Sequence, residues 1–227
     1  MKAPRHLAEL LKRLSQEYKN SETALHFRNP YELVVATILS AQCTDERVNK
    51  VTPALFARFP NAESLAQGRI ADIEKLVQST GFYRNKAKNL QGMAQRVVET
   101  HGGRIPDSIE ELVALPGIGR KTANVVLGNA FGKPAGVVVD THVKRLSFRL
   151  GLTKQSDPVK VEKDLNALIP QEYWTEFPHW LIWHGRRVCT ARKPACERCI
   201  VAKLCPKMGL RLKASSSRIS PLKRGIP

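Results

Sequence analysis

The chain has 227 residues, a formal net charge of +17 and five cysteines. That length allows one large domain or two small ones with a buried core, while the longest apolar runs, such as LVVATIL, are far too short to span a bilayer. Positive charge on this scale implies a polyanionic partner, nucleic acid first, because each neutralised phosphate releases counterions.

At the N-terminus Leu7, Leu10, Leu11 and Leu14 recur at i, i+3, i+4 and i+7, which predicts an amphipathic helix. MKAPRHLAELLKRL has no apolar core and no small-residue cleavage site of the kind an export signal needs, so a cytoplasmic protein is expected. YELVVATILSAQ is apolar nearly all round and predicts a central buried helix. IADIEKLVQST predicts a helix that stops at Gly81, and YRNKAKNLQGMAQRVVETHGG one that stops at a double glycine. Ser108 and Glu111 have capping-box spacing at the head of SIEELVAL. GVVVD (136–140) is the single strand-like run and is too short to count on. Asp157 followed by Pro158 predicts a cap and first-turn proline. The final segment carries Arg211, Lys213, Arg218, Lys223 and Arg224 without an acid or an apolar period, so 212–227 is expected to be a disordered basic tail. There is no internal repeat. An all-α protein is expected.

Two stretches carry chemistry. In LPGIGRKTANVVLGNAFG, helical patterns flank LPGIG. Gly117 and Gly119 permit a tight turn with dihedrals that other residues avoid, and they let backbone approach another molecule. The N–H groups of Gly117, Gly119 and Arg120 then sit at a helix start, a natural anion site, with Arg120 and Lys121 adding charge. This is a helix-hairpin-helix pattern, a device that holds a DNA backbone without reading sequence. Nineteen residues beyond Lys121, Asp140 precedes a helical pattern, where an N-cap is its simplest role.

The second stretch is C-x6-C-x2-C-x5-C, formed by Cys189, Cys196, Cys199 and Cys205. Reduced thiols in a cytoplasmic protein point to metal rather than disulfides. Structural zinc usually takes two close ligand pairs, and here only Cys196 and Cys199 are close. Four thiolates without histidine suit a [4Fe-4S] cluster, with zinc as the alternative. Arg192 and Lys193 lie on the loop between the first two cysteines and are read as phosphate contacts.

LPGIGRKTANVVL, VDTH and the four-cysteine spacing, in this order, resemble the endonuclease III family of DNA glycosylases. ILSAQCTD and GFYRNKA also resemble family segments, and the resemblance covers about residues 5–210. It implies a helical barrel over 23–134 containing the hairpin (about 108–128), a cluster domain from 1–22 with 135–211, and DNA between them. It further implies a lysine nucleophile at Lys121, a catalytic aspartate at Asp140, and cluster ligands at the four cysteines. Gln42 corresponds to the residue that fills the gap left by a flipped nucleotide, Phe82 to a wedge between bases, and His142 to a histidine near the sugar-phosphate. The implied activity is removal of oxidised or ring-saturated pyrimidines through a lysine imine, with β-elimination at the abasic site. The implied partner is duplex DNA carrying such a lesion or an abasic site, met by a monomer. Phe82 replaces the usual leucine, Cys43 stands where alanine is common, and the loop in GKPAGVVVD is one residue longer than usual. Two rivals are a related glycosylase that removes adenine from mismatches, which lacks the hairpin lysine, and a non-catalytic DNA-binding protein with an iron-sulfur switch.

Overall fold

The computed structural model describes residues 6–19 and 21–210, so the expected tail at 212–227 lies outside the described residues. Eleven α-helices follow in chain order among them: α1 Leu7–Glu17, α2 Pro30–Ser40, α3 Asp45–Arg58, α4 Ala62–Ala66, α5 Ile70–Val77, α6 Tyr83–His101, α7 Ile109–Val113, α8 Arg120–Phe131, α9 Thr141–Arg149, α10 Pro158–Leu168 and α11 Glu176–Arg187. No strand occurs among the described residues; 136–140 forms none, because no second run of similar character exists for it to pair with.

The helices bury two separate apolar cores. The first is drawn from α2 to α8. Its centre is α2, where Leu33, Val34, Val35, Ala36 and Leu39 are fully buried. A helix enclosed on all sides can be apolar on all sides, as its sequence implies. The second core joins Leu10, Leu11 and Leu14 of α1 to Val137 and to residues of α9, α10 and α11, ending at Val201. Each buried leucine of α1 contributes about 1.5–3 kcal/mol, so the N-terminal helix is held by segments more than a hundred residues away in sequence.

The helix ends follow local chemistry. Asn29 accepts from the Glu32 N–H, Asp157 from the Lys160 N–H at 3.0 Å, and Pro30 and Pro158 occupy first-turn positions where no N–H is needed. The helix that begins at Ile70 tightens into a 3-10 turn over 78–80 before Gly81 takes φ 70°. Gly102 ends α6 in the left-handed region. The expected capping box at Ser108 forms by half: the Ser108 hydroxyl oxygen accepts from the Glu111 N–H at 3.3 Å. Its proton goes to the Glu111 carboxylate at 2.7 Å, so that carboxylate does not reach the Ser108 backbone.

Candidate active site and cluster loop

The turn between α7 and α8 is built around Gly117, at φ 78°. A Cβ there would lie 2.9 Å from Cβ of Asn89, so both conformation and space demand glycine. Gly119 differs from expectation. It is extended (φ −92°, ψ 173°) as the N-cap of α8, and any residue could adopt that conformation. A side chain there would meet no protein atom within 4 Å; the missing Cβ leaves the helix start open instead. No side chain caps α8, so its first N–H groups are left without a capping acceptor, as an anion site requires.

Lys121 is exposed in the first turn of α8 and opens onto a cleft of about 220 Å³ between the two cores. Asp140 opens onto the same cleft from the N-terminus of α9. The carboxylate of Asp140 is mostly buried. Its Oδ1 accepts from the Val143 N–H at 2.7 Å, and its Oδ2 lies 3.5 Å from Nδ1 of His142. One oxygen therefore caps the helix while the other faces the His142 ring. The side chain of Asn124, next to Lys121 along the helix, has a buried Oδ1 without a partner among the described residues.

Among the described residues two ion pairs cross between the cores. Arg120 holds Glu162 of α10 through Nη2 and Nε, at 3.0–3.2 Å, while Nδ2 of Asn124 donates to the same carboxylate at 3.2 Å. The positive charge beside Lys121 is thus largely neutralised, and Nη1 of Arg120 takes no part in the fork. Asp45, in the first turn of α3, lies 3.6 Å from Arg186 of α11. Both of these side chains line the cleft that holds Lys121 and Asp140. Neither Glu162 nor Asp45 stands out in the sequence, since acids at helix starts or on helix faces are ordinary.

Gln42 and Phe82 are brought together in a second cleft, with Asn89 and Gly117 on its wall. Both are left-handed, at φ 53° and φ 48°, which costs a non-glycine residue about 1–2 kcal/mol. Phe82 is 69% exposed although strongly apolar. Lys86, by contrast, is only 5% exposed, and its position makes it a residue that charge and composition conceal.

The four cysteine thiols lie on a small apolar cavity with Leu146, Val201 and Ala202. None is in a disulfide. Among the described residues no three His, Cys, Asp or Glu side chains converge tightly enough for one metal ion. Four thiols around one small apolar space fit an iron-sulfur cluster. Burial pushes the Cys199 and Cys205 thiols up, so thiolate forms there need the positive charge of a bound centre. Donors already face the sulfurs: Nη1 of Arg149 stands 3.2 Å from Cys189, the Lys207 N–H 3.3 Å from Cys205, and Nε2 of His184 3.4 Å from Cys199. Burial lowers His184 to about 4, and burial raises the Tyr18 hydroxyl that meets its Nδ1 at 2.8 Å to about 12. A neutral imidazole that accepts from Tyr18 at Nδ1 has its Nε2–H left for Cys199.

Arg149 also binds the carbonyls of Thr190 and Ala191, both at 2.8 Å. Its buried guanidinium thereby laces down the tongue that presents exposed Arg192 and Lys193. In so basic a chain an internal arginine has no signature in sequence.

Comparison with known proteins agrees with this arrangement. Residues 35–171 match the HhH-GPD superfamily of base excision DNA repair proteins, and residues 189–205 match the iron-sulfur binding domain of endonuclease III. Endonuclease III of Synechocystis sp. is 59% identical over 198 residues, covering 87% of this chain and 90% of the relative. Endonuclease III of Escherichia coli K12 is 39% identical over 197 residues, covering 87% and 93%. A solved trapped endonuclease III–DNA covalent intermediate superposes with a TM-score of 0.84 at 39% identity, over 91% of this chain and 97% of that one. With the hairpin, the shared cleft and the cysteine loop in place, the chain belongs to the endonuclease III family of base excision repair enzymes, DNA glycosylases and abasic-site lyases that carry an iron-sulfur cluster.

Proposed function

We propose that this enzyme removes oxidised or ring-saturated pyrimidines from duplex DNA and cuts the strand through an imine on Lys121. The observation that carries the reading is the opening of Lys121 and Asp140, from different helices, onto one cleft. DNA would lie between the unit formed by 23–134 and the unit formed by 1–22 with 135–211. The open N-terminus of α8 would hold a phosphate, and Nη1 of Arg120, His142, Arg192 and Lys193 would add contacts to the backbone. These are sequence-independent contacts that position the strand. The enzyme would act as a monomer, at the DNA of a bacterial cytoplasm. No helix among the described residues is long and apolar enough to cross a membrane.

A base inside a duplex is out of reach, so the nucleotide must be turned out at a cost of a few kcal/mol. Gln42 and Phe82 would occupy the vacated space, and an aromatic wedge can unstack a base step as an aliphatic one does. The amine of Lys121, in its neutral form, attacks C1′ and the bond from C1′ to the base breaks. The base leaves with the bond's electron pair and takes up a proton. Positive charge developing on the sugar is stabilised by the carboxylate of Asp140. The C1′–O4′ bond then breaks, O4′ takes up the proton shed by the amine and stays on the sugar as a hydroxyl, and an imine is left between Nζ and C1′. Removal of a proton from C2′ then expels the 3′ phosphate, and water releases the lysine. Cys189, Cys196, Cys199 and Cys205 would hold a [4Fe-4S] cluster. When bound, the cluster fixes the tongue and takes no part in these bond changes.

The test is borohydride trapping on duplexes that differ only in the lesion. A covalent enzyme–DNA adduct with ring-saturated pyrimidines and with an abasic site, and none with undamaged DNA, is the expected result. Base release without any trapped adduct would overturn the imine.

A further inference from the structure

We propose that Lys86 is a positioning residue whose buried ammonium ties the Gln42 loop to the Phe82 loop and sets the gap the two side chains enter. Its Nζ donates to the Leu39 carbonyl and to the Thr80 carbonyl, both at 2.8 Å. Leu39 is in the last turn of α2, three residues before Gln42. Thr80 ends the 3-10 turn two residues before Phe82. Neither carbonyl has a backbone donor, because the chain turns away: the Cys43 N–H goes to Ser40 and Gly81 is at φ 70°. One cation thus satisfies the terminal carbonyls of two helical segments, where the backbone presents its negative end.

Nothing in packing alone asks for a charge at this site. Lys86 stands on the apolar stripe of α6, one turn before Leu90, with Met93 and Val97 following, all three fully buried. A methionine would fill the same space without desolvating an ammonium. Burial pulls the Lys86 amine below the usual lysine range, so the charge is held against a penalty. What the charge secures is the pair of loops, each of which then enters a left-handed conformation that glycine would adopt more easily. Strained residues of that kind persist only where surrounding contacts over-determine them. Lys86 also lines the cleft shared by Gln42, Phe82 and Gly117.

The proposal rests on the reading that Gln42 and Phe82 fill the space of a turned-out nucleotide. Strand cleavage is therefore compared at an abasic site in duplex DNA, where that space must be filled, and in a single strand, where no stack has to be opened. Gln42→Ala and Phe82→Ala are measured first; duplex rates equal to the parent would sink the reading itself. Lys86→Met is then expected to cut duplex about tenfold more slowly and the single strand within about twofold. Added to Gln42→Ala, it should cost much less than in the parent, since both changes act on one element. An equal loss on both substrates, or full additivity with Gln42→Ala, would overturn the positioning role. Should Lys86→Met melt below the assay temperature, Lys86→Arg carries the same comparison. It keeps the charge and spreads the donors over a planar fork, so a selective loss on duplex supports the tie and parental rates on both substrates refute it.

Discussion

Arg120, the residue before Lys121, grips Glu162 of α10 with N–H···O distances of 3.0, 3.1 and 3.2 Å. The pair fixes the second helix of the hairpin to the other core, and it leaves no room for a side chain at Gly136, whose Cβ would lie 2.5 Å from Oε1 of Glu162. The basic residue beside the proposed nucleophile is therefore a brace between the two cores.

Glu162→Gln separates that brace from the phosphate contact proposed for Arg120. The carboxamide cannot hold the guanidinium as an ion pair, so Arg120 is freed toward DNA. Binding of undamaged duplex should become more salt-dependent, with the slope of log K against log salt steeper by about one. Melting should fall by a few degrees, since about 1–3 kcal/mol of charge-assisted bonding is lost. An unchanged slope would show that Arg120 reaches no phosphate.

Lys121→Gln should fold and bind DNA as the parent does, because the side chain is exposed and caps nothing. Borohydride trapping should vanish. Persistent trapping would move the nucleophile to another amine.

The cap that Asp140 provides and the catalytic duty proposed for it can be separated by substitution. Asparagine can still accept from the Val143 N–H, as Asn and Asp are similar caps. Asp140→Asn should melt within a few degrees of the parent while releasing base on the order of 10²-fold more slowly. Asp140→Ala should lose about 1 kcal/mol of stability as well. A near-parental rate in the Asn variant would reduce Asp140 to a cap.

Arg149 predicts how the cluster loop fails. Arg149→Met removes the donors to Cys189, Thr190 and Ala191 together. The purified parent should be yellow-brown. The variant should bleach faster in air, followed as decay of visible absorbance, and its DNA affinity should fall with the loosened Arg192–Lys193 tongue. A bleaching rate equal to the parent's would show that the tongue holds without its internal arginine.

Much of this was legible in residue pattern. Leu7, Leu10, Leu11 and Leu14 announced the period of α1, and three of them are buried. Asp157 with Pro158 marked the start of α10, and the all-apolar stretch in α2 marked the centre of a core. Signals were weak in α3, where Pro53 lies inside the helix, and at Gly119, whose conformation looked special and is ordinary. The pairs that organise the site were invisible for a physical reason. Arg120–Glu162, Asp45–Arg186 and Lys86 with its two carbonyls join residues 42, 141, 47 and 6 positions apart, and a charge reads as solvent-facing until its partner is known. Lys86 offered one clue: it interrupts an otherwise apolar helical stripe.

The route of the chain through its two cores has a consequence for biosynthesis. The first core is continuous, drawn from residues 25–127, and can close while the ribosome is still at work. The second needs α1, made before the residues of the first core, and Val201, made well after them. At roughly 5–20 residues per second, the leucine face of α1 waits on the order of ten seconds or more for its partners. During that interval the nascent protein carries an unburied greasy helix beside a finished neighbour, which is the stage at which a chaperone or a premature stop would matter most.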